Sequence, residues 1–488
     1  MADWTDFVDA SQRPEPTVFR VRTGRIGEES LLDRLREGGF RTHPIEGLPH
    51  FHQVEDGPGP ISMTPEHWLG WLYVQQASTG VAAPQVGPQP GERVLDLCSA
   101  PGGKTTHMAD LMGDRGCLVA SEISESRIRG LLGNVYRLGH PNVLVVAGDG
   151  RDFPEGPMFD RVLIDAPCSG EGTLRRRGGK APSQSRSFRA YVTAAQRALL
   201  EKAVRLTRPG GTILYVTCTF APEENEAVVS DALARLPIEL EALSLPVPHA
   251  QGLTSFEGAK YDSRLEGAAR IYPQHLDSGG LFLARMRRLD GDPASDAGEG
   301  DAARAGWSPV PTVFPGGADT EEDAGPRLRA GLDELSERFG IGRDLKATHW
   351  TMRGGRAWMH TIDEWPLDGW AEGAWRPISI GFRAIDFDSR GRPRPTNDLL
   401  RWLGEDVGQR LIDVSAEDLG RLIRREAVGT GVEERGPVAL RFGGDVIGRG
   451  AVTVDGLKSE IPKARAADLA RIVEGRPGGG ELDVSRSD

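Results

Sequence analysis

The chain has 488 residues, 38% apolar and 27% charged, with a formal net charge of −12. That length exceeds one ordinary hydrophobic core, so two or three domains of a globular protein are expected. The longest apolar runs, Val94 to Cys98 and Thr212 to Val216, are strand-sized and too short to span a bilayer; the acidic start MADWTDFVDASQRPEP lacks the basic and apolar parts of a signal peptide, so a soluble cytoplasmic protein is expected.

In residues 1–80 the spacing predicts a helix over Glu28 to Glu37, with Leu31, Leu32 and Leu35 on one face, and an extended piece over Thr17 to Arg22. A second helix is expected after Thr64, where TPEH supplies an N-cap, a first-turn proline and an early acid before WLGWLYVQQ. From Val94 onward strands and helices alternate. Strands are expected at Val94 to Cys98, Cys117 to Ile123, Val143 to Ala147, Arg161 to Asp165, Thr212 to Thr217 and Leu281 to Met286, with helices at Lys104 to Met112, Glu125 to Leu138, Tyr191 to Leu206 and Glu223 to Leu236. Repeated units of this length predict a mainly parallel sheet covered on both faces, with ligands at the carboxyl ends of its strands.

Residues 290–326 hold nine acids and one base, a net −8, and few apolar residues, so an acidic disordered linker is expected there. Globular composition returns over 327–475, with strand signals at Ala374 to Phe387, Val438 to Phe442 and Val446 to Val454. With the linker set aside the remainder carries only −4. Within it, Gly172 to Leu200 contains Arg175, Arg176, Arg177, Lys180, Arg186, Arg189 and Arg197 and no acid, a strip suited to a phosphate backbone. A genome bias towards arginine is the competing explanation.

The stretch LDLCSAPGGKT, Leu95 to Thr105, comes within one residue of the phosphate loop GxxxxGKT: Gly103, Lys104 and Thr105 are in place, but Cys98 stands where the first glycine belongs. Acids follow the next two strands, Glu122 and Asp149. The first is placed for a ribose hydroxyl pair and the second for an adenine amino group. An adenosine carrying a positive sulfur fits this acid-lined turn better than an anionic nucleotide, which points to S-adenosylmethionine rather than to a nucleotide triphosphatase.

Of the four cysteines, Cys98, Cys117, Cys168 and Cys218, none forms a CxxC pair or stands at zinc-finger spacing, so neither a disulfide framework nor a metal site is expected. Cys168 and Cys218 each follow the carboxyl end of a strand, in RVLIDAPCSGEGTLRRR and GTILYVTCTFAPEENE. Both could be packing thiols; together on one rim they suggest thiol chemistry.

The strings LDLCSAPGGKT, DAPCSGEGTLRRR and VTCTFAPEENE closely resemble the motifs of the Sun-type (Fmu/Nop/Sun) RNA cytosine-C5 methyltransferases over roughly residues 60–290, with Ser99 where an alanine is common. RPISIGFRAIDF and DGLKSEIPKAR resemble the PUA-like tail of the bacterial ribosomal RNA members. The resemblance implies an α/β fold: a Rossmann-like class I methyltransferase domain with a mixed seven-stranded sheet over 81–289, a small N-terminal α+β RNA-contacting domain over 1–80, and a PUA-like α+β unit within 327–475. It implies Cys218 as nucleophile towards cytosine carbon 6, Cys168 as the base or relay that helps release, Asp165 on the cytosine edge and Lys104 near the base, though Lys104 could instead cap the turn. It assigns Cys98, Ser99, Ala100, Pro101, Gly102, Gly103, Lys104, Glu122, Asp149 and Asp165 to the cofactor pocket. RNA binding is expected at Arg175, Arg176, Arg177 and Lys180. The implied partner is RNA, small-subunit ribosomal RNA by the tail and transfer RNA as the alternative; the sequence is silent on oligomeric state, and a monomer is the simplest expectation. A DNA cytosine methyltransferase would take its nucleophile from the PC motif and carry an ENV glutamate, absent here, while an inert assembly factor would have lost a motif cysteine or cofactor acid.

Overall fold

The computed structural model describes residues 4–155, 158–178, 185–290, 306–314, 319–366 and 375–463. Its N-terminal unit begins with helix α1 (Trp4–Gln12) and builds a four-stranded antiparallel sheet from β1 (Val18–Val21), β2 (Arg41–Pro44), β3 (Phe51–Asp56) and β4 (Leu72–Val74), in the order β2-β3-β1-β4, under helix α2 (Glu28–Glu37). Leu31 and Leu35 of α2 are buried, as their spacing predicts. The second expected helix is a correction. Helix α3 (Pro65–Trp68) is a single turn capped by Thr64, and the following WLYV runs into strand β4. Gly70 ends it: its φ is 77°, and a Cβ there would stand 1.8 Å from the Arg137 carbonyl oxygen. β1 and the residue after it are tied to the next unit by buried ion pairs, Arg20 with Asp110 at 2.9 Å and Arg22 with Asp110 at 2.6 Å.

After two short helices, α4 (Ala77–Gly80) and α5 (Ala82–Val86), the alternating region forms β5 (Arg93–Asp96), α6 (Gly103–Leu111), β6 (Cys117–Glu122), α7 (Glu125–Leu138), β7 (Val143–Ala147), β8 (Phe159–Asp165), α8 (Arg186–Leu206), β9 (Thr207–Thr217) and α9 (Glu226–Arg235). There follow β10 (Ile238–Glu241), β11 (Ala250–Gln251), a small hairpin of β12 (Ser255–Phe256) and β13 (Ala259–Lys260), β14 (Ala269–Ile271), α10 (Pro273–Leu276) and β15 (Leu281–Arg288). The expected mixed seven-stranded sheet is present in the order β7-β6-β5-β8-β9-β15-β14, parallel except for β15. Its central strands are almost wholly buried apolar residues because helices cover both faces. α7 shows why the helices fall where the pattern puts them: Ile128, Leu131, Val135 and Leu138 face the core, and Gly139 ends it at φ 70°.

Three strands extend this sheet to ten: β11 beyond β14, β10 beside the far end of β15, and a strand from the distal chain, β20 (Arg376–Ile380), beyond β7. That last strand corrects the domain picture. The expected linker is ordered over 306–314 and 319–326, with 291–305 and 315–318 outside the described residues. β16 (Ser308–Pro309) pairs with β19 (Glu364–Trp365), Trp307 donates to the Met158 carbonyl, and Phe314 is buried in the core of the large sheet. Helix α11 (Glu321–Phe339) begins inside the stretch read as linker, capped by Thr320. The distal chain then forms β17 (His349–Arg353), β18 (Arg356–His360), β20 (Arg376–Ile380), β21 (Phe382–Phe387) and β22 (Pro393–Pro395), helices α12 (Asn397–Leu403) and α13 (Ala416–Ile423), and a sheet of β23 (Leu411–Asp413), β24 (Gly436–Phe442), β25 (Asp445–Thr453) and β26 (Gly456–Ser459). RPISIGFRAIDF is therefore split: RPISI joins the large sheet, whereas FRAIDF belongs to the sheet β17-β18-β21-β22. Among the described residues no helix is long and apolar enough to cross a membrane.

Candidate active site

The carboxyl ends of β5, β6, β7, β8 and β9 converge on one rim. At β5, Ser99 donates through both its N–H and its hydroxyl to the Ser121 carbonyl, at 2.9 and 2.8 Å, pinning the turn against the end of β6. The Ala100–Pro101 peptide is cis, and Gly102 adopts φ 105°, where a Cβ would come within 2.9 Å of Leu131. Helix α6 starts at Gly103, and Thr105 in its first turn donates to Asp96 Oδ2 at 2.7 Å. Burial pushes the Asp96 carboxyl up to about 7.

Three further carboxylates stand at successive strand ends. Glu122 closes β6; its Oε1 accepts from the Ser124 N–H at 2.9 Å, while the buried Oε2 has no hydrogen-bond partner, only the Arg127 guanidinium at 3.3 Å. Arg127 also donates to the Ala100 carbonyl, so it clips the turn to this acid. Asp149, after β7, caps the turn Gly150–Asp152, and its hydrogen bonds from Arg151 hold its pKa below the usual carboxylate value. That turn is roofed by the distal chain. Trp375 packs against Phe153 with ring centroids 4.7 Å apart, donates to the Asp152 carbonyl at 3.0 Å, and lies over Gly148, where a Cβ would meet its ring at 2.5 Å. The third acid, Asp165, ends β8 and accepts from Lys104 Nζ at 2.7 Å. Although burial alone would lower it, the Asp165 carboxylate raises the Lys104 pKa, so the ammonium is firmly charged.

Cys168 and Cys218 face each other across the ends of β8 and β9 with sulfurs 3.3 Å apart, both free thiols. Their environments are unequal. A hydrogen bond from the Cys168 thiol lowers the Cys218 pKa against the opposing effects of burial and Asp165, and Lys104 adds to the lowering. Cys168, which makes that hydrogen bond and is itself buried, is raised well above the ordinary thiol value. Within the pair Cys218 is therefore the more acidic thiol and Cys168 the one that holds its proton more tightly.

The loops carrying them are held from several sides. Asn225 straddles Cys218, accepting from the Thr217 hydroxyl at 2.5 Å and donating to the Thr219 carbonyl at 3.0 Å. Gly172 donates its N–H to the Cys218 carbonyl at 2.8 Å, and a Cβ there would fall 2.8 Å from that same oxygen, so only glycine fits. Glu224 accepts from the Ser169 N–H at 2.8 Å and from Gln196 at 3.1 Å, fixing the loop that presents Cys168.

All ten residues assigned to the cofactor pocket lie on or beside this rim, together with Cys168 and Cys218. Cys98 is among them as a protonated thiol, raised well above its ordinary value by burial and by Asp96, Asp165 and Glu122. The expected RNA-binding residues fare differently. Arg175 is buried, donates to the Arg13 and Pro14 carbonyls at 3.1 and 2.7 Å and pairs with Asp277 at 3.0 Å, so it anchors the N-terminal segment and cannot face a phosphate. Arg176 is exposed beside Glu15, Arg177 ends the turn Glu171–Arg177, and Lys180 lies outside the described residues. Sequence reasoning passed over Asp96, Arg127, Glu224, Asn225 and Trp375. Asp96, Glu224 and Asn225 lie inside the quoted motif strings; Arg127 and Trp375 carry no local signal.

Residues 83–287 match the family model described as 16S rRNA methyltransferase RsmB/F. The chain is 30% identical over 482 residues to the ribosomal RNA small subunit methyltransferase F of Vibrio atlanticus, spanning 96% of this chain and 94% of that protein. The protein of the same name from Klebsiella pneumoniae is 37% identical over 293 residues, 58% of this chain and 59% of that one, so this match spans less than two thirds of that relative. A human 28S rRNA (cytosine(4447)-C(5))-methyltransferase is 31% identical over 66% of this chain and 41% of its own length. Among solved structures, a methyltransferase homolog protein from Pyrococcus horikoshii superposes with a TM-score of 0.53 at 32% identity, covering 58% of this chain and 90% of that one.

Proposed function

Because the chain belongs to the RsmB/F family of 16S rRNA methyltransferases, we propose that it methylates carbon 5 of a cytosine in small-subunit ribosomal RNA, with Cys218 as the nucleophile and S-adenosylmethionine as the methyl donor. The observation that carries this reading is the unequal cysteine pair, the more acidic Cys218 3.3 Å from Cys168, beside the Lys104–Asp165 ion pair.

The pocket's residues fit the cofactor. Glu122 Oε2, buried without a hydrogen bond and facing only Arg127, is an acceptor suited to ribose hydroxyls, Asp149 lies one strand further for the adenine amino group, and the turn Cys98 to Gly103 offers close backbone without a phosphate cradle. When bound, S-adenosylmethionine supplies an electrophilic methyl group on a sulfonium sulfur.

Carbon 5 of cytosine is a poor nucleophile, so the ring must be activated first. The Cys218 thiolate forms a bond to carbon 6, and the displaced electron pair makes carbon 5 an enamine-like centre. Charge that builds on the ring meets the Lys104 ammonium, while Asp165 orients that ammonium and accepts from the cytosine amino group. After methylation, the proton on carbon 5 must leave before the bond from sulfur to carbon 6 can break. Cys168 relays that proton towards solvent, and Cys218 departs as the thiolate its surroundings favour.

Bisulfite sequencing of ribosomal and transfer RNA from cells with and without this protein tests the substrate: one cytosine of the small-subunit RNA loses its modification in the deletion. Cys218→Ala abolishes methylation of that RNA, whereas Cys168→Ser leaves protein bonded to it, seen as a retarded band on a denaturing gel. Full methylation by Cys218→Ala refutes the reading.

A further inference from the structure

The first turns of α8 present an exposed aromatic pair that the packing does not use. Phe188 is 37% exposed and Tyr191 63% exposed. Three residues apart, they share one helix face. Arg186 beside them is exposed, Arg189 is 40% exposed, and no acid occurs between Gly172 and Leu200.

Two sets of contacts fix this face at the reaction rim. Arg189 pairs with Glu171 at 2.9 Å, Glu171 accepts from the Thr219 hydroxyl at 3.2 Å, and Thr219 is the residue after Cys218. Further along, α8 packs on the turn 150–152, where Leu199 lies against Gly150. The face therefore stands beside the loop that carries Cys218.

Resting on the function proposed above, we infer that Phe188 and Tyr191 are a stacking platform for an unpaired base next to the target cytosine. A cytosine presented to Cys218 has to be unstacked from its neighbours, and a neighbouring base deprived of that contact regains it on an exposed ring. Every base has a π face, so such contacts are tolerant of sequence and depend on aromatic character. Arg186, exposed beside the rings on a stretch from 172 to 200 that carries no acid, complements the phosphates on either side, which selects RNA over an apolar protein segment as the occupant.

The test uses the full chain and a fluorescein-labelled single-stranded RNA carrying the target cytosine, with binding read by anisotropy and methylation read separately. The doubly substituted Phe188→Ala/Tyr191→Ala protein binds about tenfold more weakly, with adenosylhomocysteine affinity and kcat at saturating RNA within about twofold of the parent. Phe188→Tyr/Tyr191→Phe restores binding, and Phe188→Leu/Tyr191→Leu does not. The slope of affinity against salt stays constant, because no phosphate contact has been removed. Unchanged binding in the alanine pair, recovery by leucine equal to that by the aromatic swap, or a reduced salt slope overturns the inference. A parent protein that binds this RNA without methylating it sinks the functional reading while leaving the platform testable by the same titration.

Discussion

Replacing Cys168 with alanine removes the thiol that donates to Cys218 at 3.3 Å, and with it the largest influence holding the Cys218 pKa down. A hydrogen bond to a charged acceptor contributes about 1.5–3 kcal/mol, and a thiol is a weak donor, so the lower end applies. Since ~1.4 kcal/mol is a factor of ten, the thiolate fraction at neutral pH falls about tenfold. Lys104 stays in place and prevents a larger loss. The assay is iodoacetamide alkylation of Cys218 between pH 6 and 10, followed by mass spectrometry of its peptide; Cys98 and Cys117 are both raised by burial and react little. The sign follows from the direction of the shift. A lowered folded-state pKa puts the parent's rising limb at lower pH than that of a free thiol, and Cys168→Ala moves the limb up. The methylation rate of the parent rises with pH over the same lower range. An alkylation limb that stays put or moves down in Cys168→Ala would refute the proton assignment within the pair.

Trp375→Ala strips a buried ring from Phe153 and from the turn that carries Asp149; the loss is about 3–5 kcal/mol, read as a lower melting temperature, and calorimetry shows weaker adenosylhomocysteine binding. Unchanged cofactor affinity there would separate the distal chain from the pocket. Arg175→Ala frees the segment at Arg13 and Pro14 and leaves Asp277 with one partner fewer. It lowers stability by about 2 kcal/mol while the salt dependence of RNA binding keeps its slope; a fall of about 0.7 in that slope, the signature of one lost phosphate contact, would return Arg175 to the RNA surface.

The strands and helices around the rim were legible because local signals agree there: α7 spans the residues its apolar spacing predicts, and β7 does likewise. WLYV was misread because aromatic and β-branched residues after a proline-started turn fit either state, and the choice falls to Gly70, whose conformation is imposed by the distant Arg137 carbonyl. β14 was missed because three residues carry no period, although two strands hold them. Arg175 belongs to a sequence-level strip of positive charge, yet charge counts cannot tell which side chain turns inward to satisfy carbonyls 161 and 162 residues away. In the site, the meeting of Cys168 and Cys218 could be read from two neighbouring strand ends. Their inequality could not, since it depends on burial and on Lys104 reaching Asp165.

The described part of the expected linker, 306–314 and 319–326, changes how the two ends of the chain act together. A tether would raise the affinity of two RNA-contacting units through effective concentration alone, with their spacing left free. The observed chain instead returns to the large sheet: β20 pairs with β7 from Arg376 against Ala147 to Ile380 against Leu144, and Trp375, one residue earlier, closes over the turn that caps with Asp149. The helix α12 that follows is fixed to the N-terminal unit as well, through Arg25 donating to the Arg401 and Trp402 carbonyls at 2.9 and 2.7 Å and Arg401 donating to the Trp68 carbonyl at 2.6 Å. A unit bound at the Asp149 turn and at the N-terminal unit sits at a set distance from Cys218. On the function proposed above, RNA gripped by this unit would be positioned relative to Cys218, so part of the entropy of aligning the cytosine would be met when the RNA docks and not when the sulfur attacks.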